Sequence, residues 1–176
     1  DMVFEHFASS NQSLGVVAFS DVQARLIERL IEERLSRSPE YAVYFDDTKE
    51  EPFFVKNLES VQGDERDRII FSICYGYNDD NKFYQRFGPL NNLGGERRLN
   101  VAITRAKYNV SVVSSIRYTD IRLSNTDSLG VKVLRDYLQF IENIQIRRQS
   151  GQAADGMAAD VKRFIEDLGY DCYPDF

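Results

Sequence analysis

The chain has 176 residues but only one histidine, His6, and two cysteines, Cys74 and Cys172. The single histidine lies in a polar N-terminal stretch, which argues against a His-dependent catalytic triad and a His-rich metal site, and two distant cysteines make neither a zinc-ligand spacing nor a disulfide framework. Both are expected to be reduced thiols. Long apolar runs are also missing: the longest uninterrupted stretches are five or six residues, as at Leu14 to Phe19, whereas a membrane span needs about 20. A cytoplasmic protein with no membrane partner is therefore expected. Positive charge is in deficit, with 22 Lys and Arg against 28 Asp and Glu and a net charge of −6. That argues against gripping nucleic acid through bulk charge. It leaves room for a few positioned side chains and backbone amides, with the other half of such a site on a partner domain. Chemistry in this chain must run on arginines, carboxylates and amides.

What is present suits one globular domain: 43% of the residues are hydrophobic and 28% charged, in a chain of the ordinary single-domain length. Residues 1 to 13 are polar and uneven and are expected to form an arm rather than an element. Leu14 to Phe19 is short and apolar, as a strand buried on both faces would be, and Ser20 with Gln23 three residues later has capping-box spacing. The following helix carries Val22, Leu26, Ile27, Leu30, Ile31 and Leu35 as one apolar stripe expected to pack on a sheet. Tyr41 to Phe45, Pro52 to Val55 and Asp67 to Cys74 are predicted strands, and Tyr75 to Leu93 an extended loop with a mobile tip. A helix over Glu96 to Lys107, a valine-rich strand over Tyr108 to Ser114 and a helix over Ser128 to Gln145 complete the pattern. Strands alternating with helices, without tight hairpin signals, predict a mostly parallel sheet in an α/β domain of RecA-like or Rossmann-like type.

Two stretches carry functional chemistry. Glu59-Ser60-Val61-Gln62-Gly63-Asp64-Glu65-Arg66-Asp67 sets a glycine turn, an amide, a hydroxyl and several carboxylates between two strands. Glycine lets backbone amides approach a phosphate or a sugar, and a carboxylate can accept a hydroxyl hydrogen bond. Taken alone the stretch could equally be a solvated turn. Gly94-Gly95-Glu96-Arg97-Arg98-Leu99-Asn100-Val101-Ala102-Ile103-Thr104-Arg105-Ala106-Lys107 presents three arginines on a short predicted helix. Arg98 and Arg105, seven apart, would share its face. A guanidinium on a rigid element suits a phosphate oxygen and can stabilise charge developing in phosphoryl transfer. By composition alone this could be a solvated basic face.

Together the two stretches resemble a known family. Ser60 to Glu65 leading into Ile69-Ile70-Phe71-Ser72 resembles motif V, and Arg97 to Lys107 resembles motif VI, of superfamily 1 nucleic-acid helicases. The strand and helix at Val16 to Leu35 sit where motif IV would lie, with Ala18-Phe19-Ser20 in place of the usual Thr-Pro-Tyr and with Gln23 and Arg25 in comparable places. The resemblance covers about residues 14 to 116. Lys56 to Asp67 and Phe87-Gly88-Pro89-Leu90-Asn91 narrow it to large bacterial helicase-like proteins, many with a nuclease-like domain after the motor.

The resemblance implies an α/β, RecA-like fold of the P-loop NTPase type and a role as the second of two motor domains. Arg105 would be the arginine finger at the ATP γ-phosphate, with Arg98 a supporting phosphate or motif-coupling residue. Gln62, Gly63 and Glu65 would lie by the nucleotide, with Arg25 as a second phosphate contact, while Ser60 and Thr104 would face the nucleic-acid backbone. The cofactor would be ATP with Mg, held mainly by a first RecA-like domain of the same protein, because no Gly-x-x-x-x-Gly-Lys-Ser/Thr loop occurs here. The partners would be that domain and single-stranded DNA, or RNA, and the region should not hydrolyse ATP alone. Domain expectations are an arm at 1–13, the RecA-like domain at 14–146, a linker at 147–156 and the truncated start of a restriction-endonuclease-like domain at 157–176. Two other readings stay open: a degenerate RecA-like module that binds without turnover, and a free-standing nucleotide-binding enzyme. The latter needs a glycine-rich loop after the first strand, where Phe19-Ser20-Asp21 stands.

Overall fold

The computed structural model describes residues 1–149. Its centre is a sheet of four strands, β1 (Leu14–Ala18), β2 (Phe54–Asn57), β3 (Arg66–Ile73) and β4 (Ala106–Ser114). The order is β2-β1-β3-β4 and every pairing is parallel. This is the α/β, RecA-like sheet the alternation of elements predicts. All five residues of β1 are buried, as a central strand covered on both faces requires.

Side-chain alternation divides the core in two. On one face Val17, Ile69 and Phe71 meet Leu99 and Ala102 of α3 (Gly95–Ile103) and Val131, Leu134 and Tyr137 of α4 (Leu129–Gln149). On the other, Leu14, Val16 and Ile70 meet Ile31 of α2 (Asp21–Leu35) and Val3, Phe4 and Phe7 of α1 (Met2–Ser9). The two helices of the first face cross closely. A Cβ on Gly95 would stand 2.5 Å from the Leu90 carbonyl oxygen and one on Gly130 would stand 2.4 Å from it, so only glycine lets both helices close over the turn at Gly88–Asn91.

Several local expectations are corrected. Residues 1–13 are not an arm throughout: Val3, Phe4 and Phe7, at helical spacing, are buried against the rings of Tyr41, Tyr44 and Phe45, and the segment folds as α1. For the same reason Tyr41 to Phe45 is no strand. Pro39 opens a 3₁₀ segment, Pro39–Phe45, whose aromatic side chains cap α1 instead of extending the sheet. In α2 the buried side centres on Ala24 and Ile31 with Ile27 and Leu35 beside them, which leaves Val22, Leu26 and Leu30 exposed. The hydrophobic stripe is wider than the face the sheet can cover.

The helix predicted to reach Lys107 ends at Ile103, because Thr104 leaves helical geometry and Ala106 is already in β4. At the other boundary, Ser20 caps α2 by accepting from the Gln23 amide at 3.2 Å, but the Gln23 side chain crosses to Ser72 Oγ, also at 3.2 Å. Only half of a capping box is made. Outside a 3₁₀ turn at Gly88–Asn91, Tyr75 to Leu93 has no regular structure, yet Phe87 and Leu90 are fully buried. The first residues of the expected linker, 147–149, belong to α4. The remainder of that linker and the domain expected at 157–176 lie outside the described residues.

Candidate nucleotide and strand site

The chain between β2 and β3 crosses from one end of the parallel sheet to the other, and α3 runs beside it in the same sense before β4 begins. Two short charged contacts join these segments, one near each end. They link the two sequence stretches singled out above.

At the end where β3 and β4 start, Arg105 sits in the turn after α3. It does not share a helix face with Arg98, as a longer helix would have allowed. Its guanidinium is fixed three ways: Nε donates to the Val101 carbonyl at 2.9 Å, Nη2 to Thr104 Oγ1 at 3.2 Å, and Nη1 lies 3.3 Å from Glu65 Oε1. The backbone closes the same corner, since the Arg66 amide donates to the Arg105 carbonyl at 3.1 Å. The side chain is 19% exposed, against 52% for Glu65. A guanidinium carries five N–H donors, and two remain beyond these contacts. Gln62 and Gly63 form the adjoining turn, closed by the Asp64 amide on the Val61 carbonyl at 3.3 Å. Gly63 has φ +90° and no atom lies within 4 Å of where its Cβ would stand, so its backbone can be approached from outside. Thr104 Oγ1 also donates to the Val101 carbonyl, at 3.0 Å.

Toward the end where β1 and β2 finish, Asn57 organises the loop. Its Oδ1 accepts from the Glu59 and Ser60 amides, both at 2.8 Å, and from Ser60 Oγ at 2.9 Å, while its Nδ2 donates to Asp21 at the start of α2. Ser60 is thereby held exposed on the surface. Arg98 reaches this loop, with Nε 3.3 Å from Glu59 Oε1 and Nη1 donating to the Leu93 carbonyl at 3.1 Å. Neither Asn57 nor Glu59 was singled out from the sequence. An Asn two and three residues before the amides it caps is an Asx-turn spacing, and that signal was available.

Arg25 is not brought to either cluster. It stands exposed on α2, and α2 packs on the sheet face opposite α3. The structure thus joins Arg105, Thr104 and Glu65 in one corner, with Gln62 and Gly63 in the turn just before Glu65, and in another brings Arg98 to Glu59, the residue before Ser60.

Beside the Arg105 corner Lys107 bonds to Glu51, which also accepts from Ser13 Oγ, and Ser13 N donates to Asp67 at 2.9 Å. The Lys107 hydrogen bond, with help from Ser13, holds the Glu51 carboxyl below its ordinary range, and the same bond raises Lys107. Among the described residues no group of His, Cys, Asp and Glu is placed to hold a metal ion. The corner offers guanidinium donors and open backbone that suit a nucleotide phosphate.

The chain is similar to known proteins over most of its length. Residues 2–117 match the AAA domain family. A Mycoplasma genitalium protein named as an ATP-dependent helicase is 44% identical over 135 residues, covering 74% of this chain and 12% of its own length. Its Mycoplasma pneumoniae homologue is 39% identical over 146 residues, 77% of this chain and 12% of its own. A Saccharomyces cerevisiae protein named as an ATP-dependent RNA helicase is 34% identical over 92 residues, 52% of this chain and 7% of its own. The chain therefore spans about 12% of the length of the first two relatives. Among the described residues no helix is long and apolar enough to cross a membrane. With its parallel α/β sheet and a match running from residue 2 to residue 117, this chain belongs to the AAA domain family and is a helicase-related domain.

Proposed function

We propose that the chain is the second RecA-like motor domain of a superfamily 1 ATP-dependent helicase or translocase of the cytoplasm, and that Arg105 is its arginine finger. The observation that carries this is the Arg105 corner. A guanidinium mostly shielded from water is fixed on three sides and keeps donors free beside the open Gly63 turn. That is the preorganisation that charge stabilisation in phosphoryl transfer needs.

ATP supplies the γ-phosphoryl group whose transfer develops negative charge at its oxygens. Arg105 would donate to those oxygens, and Gln62, Gly63 and Glu65 would border the nucleotide, with Glu65 also holding the guanidinium in place. Mg and the remaining phosphate contacts belong to the first RecA-like domain, the partner across the cleft, so this region alone turns nothing over. Arg25 would need that partner to bring a phosphate to α2. Ser60 and Thr104 would contact the backbone of single-stranded DNA, with RNA as the other substrate class. The geometry favours Arg98 as a motif-coupling residue over a second ligand to the same phosphate. The RecA-like domain, which takes in α1 and the whole of α4, would be followed by a linker and a restriction-endonuclease-like domain from residue 157.

The test is strand-stimulated ATP turnover of the full-length protein with Arg105→Ala beside wild type. A loss of about 10³-fold or more with ATP binding largely kept is expected. Unchanged turnover overturns the finger role, and an inactive wild type favours a degenerate module that binds without turnover.

A further inference from the structure

The two contacts that join α3 to the preceding loop differ in one respect that bears on nucleic acid. Glu59 stands one residue from Ser60, the proposed strand contact, and its partner Arg98 begins the helix whose far end sets Arg105. The side chains of Arg98 and Glu59 are 33% and 51% exposed, so water and ions reach the pair. An ion pair of that exposure is weak and exchanges readily. Among the described residues Arg98 is otherwise held by the Leu93 carbonyl through Nη1, which leaves guanidinium N–H donors on the open side.

We infer that Glu59 is a positioning residue that occupies Arg98 until a strand phosphate at Ser60 displaces it. This deepens the motor-domain reading and rests on it. A phosphate arriving at Ser60 Oγ comes close to a carboxylate of the same sign and to a guanidinium that binds phosphate as well as it binds carboxylate. Repulsion pushes Glu59 away as attraction draws Arg98 over, so one binding event exchanges the partner of Arg98. Asn57 keeps Ser60 in place during the exchange because it grips the Ser60 amide and hydroxyl and is itself anchored to Asp21. The exchange alters the start of α3. A nine-residue helix with Leu99 and Ala102 fully buried is stiff enough to carry that change to the turn holding Arg105.

The experiment measures binding of a fluorescent 20-nucleotide oligo-dT, and of oligo-U, by the full-length protein at fixed low salt. Wild type, Glu59→Gln, Arg98→Ala and the double variant are compared. Glu59→Gln keeps the size of the side chain and one acceptor oxygen while removing its charge. It is expected to bind about fivefold more tightly, because Arg98 is released to the phosphate. The gain should vanish in the double variant, and Arg98→Ala alone should bind more weakly than wild type. Glu59→Asp, which keeps the charge, should stay near wild type. A purely structural Glu59 would weaken binding or leave it unchanged when neutralised, and either result overturns the inference. So does a gain that persists undiminished without Arg98, since that would be relief of repulsion alone. If wild type binds neither oligonucleotide, the strand-track reading itself falls. If wild type binds and Glu59→Gln does not differ, only the role of Glu59 falls.

Discussion

The two ends of α3 carry the same kind of residue in opposite circumstances. Arg105 is 19% exposed and tethered by a carbonyl, a hydroxyl and a carboxylate. Arg98 is 33% exposed with one carboxylate and one carbonyl. Ordering a guanidinium in advance removes the entropy cost of ordering it when charge develops, which suits a group that acts once per turnover. A loosely held guanidinium suits a group that changes partners. Sequence spacing alone made the two arginines look equivalent, and the difference lies in where the helix stops.

The largest expected effect tests this directly. Lysine keeps the charge but lacks the planar fork, so Arg105→Lys cannot reproduce three directed contacts and still present donors outward. It should lower strand-stimulated ATP turnover by about 10²-fold. Arg98→Lys should cost only a few-fold, since one ammonium can reach either Glu59 or a phosphate. Equal losses at both positions would erase the distinction between the ends.

Next in size is the link between them. Leu99 is fully buried under α4, so Leu99→Ala should lower unfolding stability by about 2–5 kcal/mol and depress function at both ends together. A urea titration showing less than about 1 kcal/mol would mean that α3 is not the rigid connector its burial implies. A smaller and one-sided effect is expected at Gly63. With φ +90° and open space around it, an added methyl meets only backbone strain, about 1 kcal/mol. Gly63→Ala should therefore weaken ATP affinity while oligonucleotide binding is kept. Equal loss of both would mean that the turn belongs to neither end alone.

Much of this was legible in the sequence because the relevant patterns are local and periodic. β1 and β3 are apolar runs and read as buried strands, and the arginine and glycine stretches sit in the order and spacing that tie them together. What escaped depended on tertiary partners. Phe4 and Phe7 look isolated in a polar segment until Tyr41, Tyr44 and Phe45 fold against them. That same packing turns a strand-like aromatic run into a 3₁₀ segment. The end of α3 escaped because Thr104-Arg105-Ala106 has no strong stop signal, and the pairing of Arg66 with Ala106 in the sheet overrides helix propensity there. Glu59 was passed over because its value comes from Arg98, 39 residues away in the sequence.

The smallest expected effect concerns the ground beside the Arg105 corner, where Lys107 and Glu51 lock β4 to the loop before β2. The hydrogen bond from Lys107, with one from Ser13, lowers the Glu51 pKa from its ordinary value of 4.5. A lowered folded-state pKa contributes stability that is fully present above the unfolded value and is lost as pH falls through the folded one. Lys107 is raised from 10.5, mainly by the same bond, so its share is present below that value and is lost as pH rises through the raised one. Glu51→Gln should therefore reduce the urea midpoint slightly at pH 7, and the difference from wild type should shrink as pH falls below about 4.5. Both side chains are about a third exposed, 37% and 32%, so solvent screening keeps the effect small. A difference that stays constant into acid would mean that Glu51 acts through packing and not through its charge.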